Sequence, residues 1–181
     1  MTARRILSLL PALAVLALSI GLTACDTSEN KQELEEGVPV ELGELQYNVI
    51  FSRYLNPGDV EDKDYLVGQP PPQPDQLYLG VFVQILNKSH EGPETIPTGW
   101  VVTDTEHNTY TPLASDSPYA LHFAEPIGPE DQVPALGSTA QAGPIDGSMV
   151  LFSIPDSATE NRPLELTIPG EGGPAVYKLD A

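Results

Sequence analysis

Several short segments of the chain alternate between apolar and polar residues with a period of two, which is the pattern of β-strands with one buried face. The first such run places Leu45, Tyr47, Val49 and Phe51 on the buried face. Residues 77–85 are apolar on both faces, which predicts a central strand. Further runs, each of which predicts a strand, are 100–103, 109–111, 119–123, 149–154, 164–168 and 175–179.

Proline or glycine occurs in almost every gap between these runs, and no segment after residue 40 keeps an apolar repeat of 3.6 residues. Short strands separated by such turns predict an all-β protein with an antiparallel β-sandwich. We place this domain at residues 41–181. Trp100 stands at the start of one run and is expected in the core. Segment 56–75 is expected to be a long loop that its clustered prolines make stiff in part.

The beginning of the chain has the layout of a secretory signal. Residues 1–24 start with a short basic region and continue as an uncharged apolar stretch. This stretch ends on small residues before the only cysteine of the chain, in the tetrapeptide Leu22-Thr23-Ala24-Cys25. The tetrapeptide resembles the lipobox of bacterial lipoproteins. The resemblance implies that the signal peptide is removed and that the cysteine then carries a covalent diacylglyceryl lipid.

Two alternatives to lipidation remain, an uncleaved membrane-spanning anchor and an ordinary secretory cleavage that leaves a free thiol. A free thiol is a reactive liability in an oxidising compartment, so the lipid explains the lone Cys25 better. Two or more acyl chains anchor durably, at about 0.8 kcal/mol per buried methylene. The expected location is therefore the extracytoplasmic face of the cell membrane.

The net charge of the chain limits the classes of partner that it can bind. It has 26 Asp and Glu residues against 8 Lys and Arg, and a formal net charge of −18. This acidity argues against nucleic-acid binding, because affinity for phosphate backbones comes from clustered cations. A single cysteine excludes an internal disulfide and a zinc site of the CxxC type. Residues 25–40 are polar and acidic, and they are predicted to be a flexible linker between the lipidated cysteine and the sandwich.

Three segments carry a resemblance to a known family. Residues 78–89 are an apolar strand that ends in Asn-Lys-Ser, residues 101–110 have the pattern of a hairpin that ends in tyrosine, and residues 147–155 run from glycine through Phe152 to proline. In this order they resemble the telokin-like, immunoglobulin-like domains of bacterial lipoproteins, a family of unknown function. The resemblance implies an immunoglobulin-like sandwich and carries over no catalytic motif. Asn108 replaces the usual hairpin glycine and is expected to tolerate positive φ.

Four acidic residues of the long loop are candidate metal ligands. Asp59, Glu61, Asp62 and Asp64 lie within six residues of each other. Hard oxygen ligands at such spacing can bind Ca²⁺. The residue order of an EF-hand is absent, so a solvated acidic loop is the competing interpretation, and no other cofactor is expected.

Tyr54 and Tyr65 flank the acidic loop, and tyrosine is enriched at protein interfaces. No Gly-x-Ser-x-Gly motif and no glycine-rich phosphate loop occurs in the sequence, and the three histidines fall on separate predicted elements. We therefore expect a non-catalytic, membrane-anchored lipoprotein that binds a protein partner at the cell envelope or serves as a scaffold. The alternative is a ligand- or calcium-binding lipoprotein that uses loop 59–64.

Overall fold

The computed structural model describes residues 32–181, so the predicted signal peptide 1–24 and Cys25 lie outside the described part. In that part, no helix is long and apolar enough to span a bilayer. The only helical segments described are α1 (Thr139–Ala142) and a 3₁₀ turn (Asp156–Thr159). The strands are β1 (Gln32–Glu35), β2 (Val40–Leu42), β3 (Leu45–Leu55), β4 (Gln76–Asn87), β5 (Glu94–Thr95), β6 (Val101–Thr103), β7 (Thr109–Tyr110), β8 (Pro126–Ile127), β9 (Gln132–Val133), β10 (Ser148–Pro155), β11 (Leu164–Ile168) and β12 (Ala175–Leu179).

The strands form two sheets that pack as a sandwich. The first sheet has the order β1-β12-β11-β6-β7, and the second has the order β10-β4-β3-β2 with β9 added beside β4. Strands β5 and β8 form a separate two-stranded ribbon. Every pair is antiparallel except β1 with β12, which is parallel. The predicted all-β sandwich is confirmed.

The main core lies between the two sheets. Trp100 is fully buried there, as predicted, and its ring meets the edges of Tyr47 and Phe123 at centroid distances of 5.8 and 5.5 Å. Tyr177 on β12 reaches across the sandwich, and its hydroxyl donates a hydrogen bond of 2.7 Å to the carbonyl oxygen of Val38. Because large aromatic rings bury much apolar area, these contacts fix the spacing of the sheets.

Strand β3 does not keep the strict alternation that would bury Phe51. Its register with β4 shifts between Val49 and Phe51, which is the signature of a β-bulge. Val49 is fully buried, whereas Phe51 is 42 % exposed. One extra residue moves every later side chain of a strand to the opposite face. The prediction for Phe51 is therefore wrong, and its ring lies on the outer face of the second sheet.

A second, smaller core covers that outer face. Strand β4 is buried on both faces, as predicted for a central strand, and Phe82 belongs to the outer one. Segment 56–75 folds back over this face, and the hydroxyl of Tyr78 donates to the carbonyl oxygen of Pro70 at 2.7 Å. The buried members of this cluster are Leu55, Tyr65, Leu66, Tyr78, Phe82, Met149 and Leu151.

The second half of segment 25–40, which the sequence predicts to be a flexible linker, belongs to the sandwich. Strand β1 pairs along its length with β12. Glu36 then accepts hydrogen bonds from Ser52 and, at 3.1 Å, from the backbone N–H of Asp180. Strand pairing satisfies backbone groups whatever the side chains are, so an acidic segment can form an edge strand. Residues 32–35 and residue 40, which the sequence assigns to the linker, are thus parts of strands in the sandwich.

The strand predicted for residues 119–123 is irregular backbone that runs beside β10. A single parallel bridge joins Ala120 to Met149, and the N–H of Leu121 donates to the carbonyl oxygen of Met149 at 2.8 Å. This segment covers the free edge of β10 and brings Tyr119 against the second core. Covering an edge in this way prevents its pairing with other chains.

Candidate functional site

One buried acid holds the loop of residues 56–67 on the second sheet. Asp62 is only 2 % exposed. Its Oδ1 is ion-paired with Arg53 of β3, and its Oδ2 accepts a hydrogen bond of 2.7 Å from the backbone N–H of Asn56. Its carbonyl oxygen accepts from the N–H of Tyr65 at 3.1 Å, which turns Tyr65 toward the sheet. A buried carboxylate needs such partners, because an unpaired charge is costly in the interior.

The four acids considered as calcium ligands do not converge on one point. Asp62 is occupied by its own partners, while Asp59, Glu61 and Asp64 are exposed. Oδ1 of Asp59 accepts a hydrogen bond from the N–H of Glu61 at 3.1 Å. Within residues 32–181, no group of three or more His, Cys, Asp or Glu is arranged to hold a metal ion. The geometry of the loop therefore gives no support to a calcium site.

An open groove of about 510 Å³ lies over the outer face of the second sheet, beside this loop. Its size falls in the range of ligand pockets. We call it the aromatic groove. The apolar side chains that line it include Phe51, Val60, Tyr65, Tyr119 and Ile145. The charged side chains that line it are Arg53, Glu61 and Asp64.

Tyr65 packs against several side chains in and beneath the groove. Its ring meets the edge of Phe82 at 5.1 Å and the ring of Tyr119 at 4.7 Å. The hydroxyl is buried and has no hydrogen-bond partner among the residues described. Burial raises the pKa of Tyr65, and Tyr119 and the carboxylates of Asp62 and Asp64 raise it further, which outweighs the lowering by the positive charge of Arg53. The phenol is therefore neutral, and it can both donate and accept a hydrogen bond.

Arg53 supplies the positive charge beside Tyr65. Its guanidinium carbon lies 5.7 Å from the centre of the Tyr65 ring, within cation–π distance. The same guanidinium is ion-paired with Asp62, so its charge is balanced inside the protein. Its Nε is buried and finds no acceptor in residues 32–181. The groove thus has two buried polar atoms that no described residue satisfies.

Tyr54 and Tyr65, the two predicted binding residues, lie on opposite faces of the second sheet. Successive side chains of a strand point to opposite faces, so Tyr54 faces away from Arg53. It is half-buried and packs against the main core. Burial raises the pKa of Tyr54, and the positive charge of Arg162 lowers it in part. Tyr65 belongs to the groove, and Tyr54 does not.

A second concavity of about 600 Å³ lies beside β8 and β9. It contains His122 and three acids, and Leu136 at its margin is 78 % exposed. His90 lies near it. Its Nδ1 is 3.3 Å from Oε1 of Glu130, and both side chains are exposed. None of the unpartnered buried polar atoms found in the described chain belongs to its lining. The aromatic groove is smaller but has the stronger marks of a binding site.

The hairpin between β6 and β7 is held together by the hydrogen bonds of one buried carboxylate. Asp104 is 4 % exposed and accepts hydrogen bonds from the N–H groups of Glu106 and Asn108, from Nδ2 of Asn108 and from the hydroxyl of Tyr110, at 2.8–3.0 Å. Burial acts to raise the pKa of Asp104, but these hydrogen bonds outweigh it and lower the pKa below its ordinary value. Positive φ falls on His107, at 65°, and not on Asn108 as expected.

Sequence reasoning missed several residues of the groove. The sequence pattern places Phe51 in the core and does not mark Arg53, Val60 or Ile145 as binding residues. The bulge in β3 aims Phe51 outward, and only the folded loop brings Val60 near Ile145. A usable signal is Arg53 itself, a lone cation in a predicted strand region of a very acidic chain.

Comparison with known proteins supports the fold of the chain and says nothing about its function. No family model matches the chain, and no curated protein matches its sequence. An uncharacterised β-sandwich protein from Clostridium difficile 630 is similar in structure, with a TM-score of 0.51, 13% identity, and coverage of 84% of this chain and 96% of that one. The yjhA protein from Bacillus subtilis has a TM-score of 0.46, 12% identity, and coverage of 82% and 99%. The first of these similarities supports the β-sandwich fold alone.

Proposed function

We propose that this chain is a non-catalytic lipoprotein, anchored by a lipid on Cys25 at the extracytoplasmic face of the cell membrane, whose β-sandwich binds a protein partner. The binding site is the aromatic groove. The observation that carries this role is the groove's exposed apolar rim next to the buried hydroxyl of Tyr65, which has no partner within the described chain. Interfaces are rich in such aromatic side chains.

The lining of the groove favours binding over catalysis. Its titratable side chains are one arginine, two exposed carboxylates and two tyrosines, and no Ser, Cys or His lines it. Nucleophilic catalysis needs an activated hydroxyl, thiol, amine or carboxylate next to a base that is itself oriented by a third group. Arg53 is instead held by Asp62, an arrangement that fixes the loop.

The anchor rests on the sequence before β1. The lipobox-like tetrapeptide 22–25 accounts for the only cysteine. Because β1 starts at Gln32, residues 25–31 alone separate the lipid from the sandwich. Seven residues reach about 25 Å when fully extended. The domain would thus stay close to the membrane, where it meets other proteins of the envelope.

Replacing the cysteine tests the anchor. The Cys25→Ala variant should move from the membrane fraction to the soluble fraction after export. The wild-type protein should yield an N-terminal peptide that begins at Cys25 and carries the mass of the lipid. Continued membrane attachment of the variant would instead mean that the apolar segment 6–24 spans the bilayer uncleaved.

Site-specific crosslinking in living cells tests the groove. A photoreactive amino acid at Phe51 or Val60 should give one discrete protein adduct, and the further substitution Tyr119→Ala should abolish it. The same amino acid at Leu136, which is as exposed as Val60 but lies at the other concavity, is the matched control. An adduct from Leu136, with none from the groove positions, would move the binding site to β8 and β9.

A further inference from the structure

The free charge of the aromatic groove is negative. Glu61 and Asp64 line it, both are exposed, and neither has an ion-pair partner within residues 32–181. Arg53 is the only basic residue of the lining, and Asp62 already balances its charge. Two carboxylates are therefore left to act on an occupant. The groove repels an anion and attracts a cation.

The rest of the described chain also carries a net negative charge. Of the 26 Asp and Glu residues, all except Asp26 and Glu29 lie in it, which makes 24. Of the 8 Lys and Arg residues, only five lie in it, because Arg4, Arg5 and Lys31 precede it. A field of one sign speeds the encounter with partners of opposite charge and suppresses those of like charge.

The apolar rim of the groove is widely exposed, which favours an occupant larger than a small amine. Val60 is 77 % exposed and Phe51 is 42 % exposed. A small amine would cover only part of this exposed apolar area, whereas a peptide segment would cover more of it, and burial of apolar area favours binding. The half-buried ring of Tyr119, next to Tyr65, offers an aromatic face to a cation.

The buried hydroxyl of Tyr65 supplies an independent indication of a ligand. Tyr65 lines the groove and is 98 % buried, and its hydroxyl lacks a hydrogen-bond partner in the described part of the chain. Buried polar groups are normally satisfied. A peptide carbonyl can accept from this hydroxyl, and an ammonium or guanidinium group can donate to it.

We propose that the aromatic groove binds a Lys or Arg side chain that is flanked by apolar residues in a segment of a partner protein. The cationic end would lie near Glu61 or Asp64, and the apolar flanks would cover Phe51 and Val60. This inference rests on the proposed function, and it adds the chemistry of the partner segment.

Three labelled peptides test the charge requirement. They are blocked tripeptides with leucine at both ends and lysine, acetyl-lysine or glutamate in the middle, each carrying fluorescein. The full chain is held in nanodiscs of zwitterionic phosphatidylcholine, and empty nanodiscs correct for binding to lipid. In fluorescence anisotropy, the lysine peptide should bind at least tenfold more tightly than either of the other two. Added salt should weaken its binding.

Single substitutions locate the interaction. Glu61→Gln and Asp64→Asn should each weaken binding of the lysine peptide about two- to fivefold, the range of an exposed ion pair. Glu160→Gln removes an exposed acid outside the groove and should leave binding unchanged. Phe51→Ser should abolish binding. Unchanged circular dichroism and a thermal midpoint lowered by no more than a few degrees would show that this exposed substitution leaves the fold intact.

The outcomes separate the two proposals. If acetyl-lysine binds as tightly as lysine and Phe51→Ser abolishes both, the charge requirement is overturned while the groove keeps its binding role. If Phe51→Ser changes no binding, or no peptide binds, both proposals are overturned. Competition with free butylamine distinguishes the source of the cation. If butylamine displaces the lysine peptide at equal concentration, the partner segment is overturned in favour of a small amine.

Discussion

The substitution Asp62→Asn should destabilise the protein strongly, because the buried carboxylate fixes the loop that forms the groove. The side chains of Asp62 and Arg53 are 3% and 30% exposed. Removing one partner of a fully buried pair costs about 3–5 kcal/mol. The partial exposure of Arg53 lets water take up some of its charge, and the amide still accepts from Asn56. We therefore expect a loss of about 2–3 kcal/mol, or roughly 5–10 °C in Tm for a domain of this size.

Urea unfolding followed by the fluorescence of Trp100, the only tryptophan and a fully buried one, measures this loss. Asp64→Asn is the matched control, because it removes an exposed acid of the same loop, and its effect should stay within about 0.5 kcal/mol. A protease that cleaves after glutamate should cut at Glu61 faster in Asp62→Asn than in the control. Equal stabilities of the two variants would refute the reasoning about the buried ion pair.

Three further predictions concern the β6–β7 hairpin, the second core and the acidic loop. The lowered pKa of Asp104 stabilises the folded protein above the unfolded pKa of an aspartate, near pH 4, and this contribution is lost as the pH falls through the folded pKa. The Tm difference between wild type and Asp104→Asn should therefore shrink below pH 4, and a constant difference would contradict the hydrogen-bond network. Phe82→Ala should cost about 3–5 kcal/mol in urea unfolding and Phe51→Ala about 1 kcal/mol or less, because a bulge turns Phe51 outward; equal costs would place both rings in the core. Millimolar Ca²⁺ should raise Tm no more than Mg²⁺ does, and a rise specific to Ca²⁺ would restore the calcium interpretation of loop 59–64.

The central strand and the core tryptophan could be predicted because each has a local signature. Residues 77–85 are apolar on both faces, and only a strand covered on both sides tolerates that pattern. The segment that covers the outer face of β4, however, is loop 56–75. Its polar and proline-rich sequence gives no sign that it packs against β4. Which segment covers a face depends on contacts distant in sequence.

The elements that could not be predicted are set by backbone geometry. The bulge before Phe51 depends on how β3 pairs with β4, and no residue type marks it in the sequence. Strand β1 has a single apolar residue, Leu34, and therefore shows no apolar alternation, although it pairs with β12 along its length and Leu34 packs against the main core. The positive φ of the hairpin falls on His107, one residue before the expected Asn108, since the Asp104 carboxylate binds both flanking N–H groups.

The candidate site was predicted only in part. The acidic loop and Tyr65 were recognised from their residue types. The role of Asp62 differs from that of its neighbours because Arg53, nine positions away in the sequence, meets it in the fold. Four acids in one loop look alike in sequence, and burial alone separates the one that fixes the loop from those that remain exposed.

A structure of the protein with the leucine–lysine–leucine peptide bound tests the central claim most directly. The lysine ammonium should lie within about 4 Å of a carboxylate oxygen of Glu61 or Asp64, the distance of an ion pair. The hydroxyl of Tyr65 should be hydrogen-bonded to the peptide. A peptide seated at the concavity beside Leu136, with the aromatic groove vacant, would contradict the account.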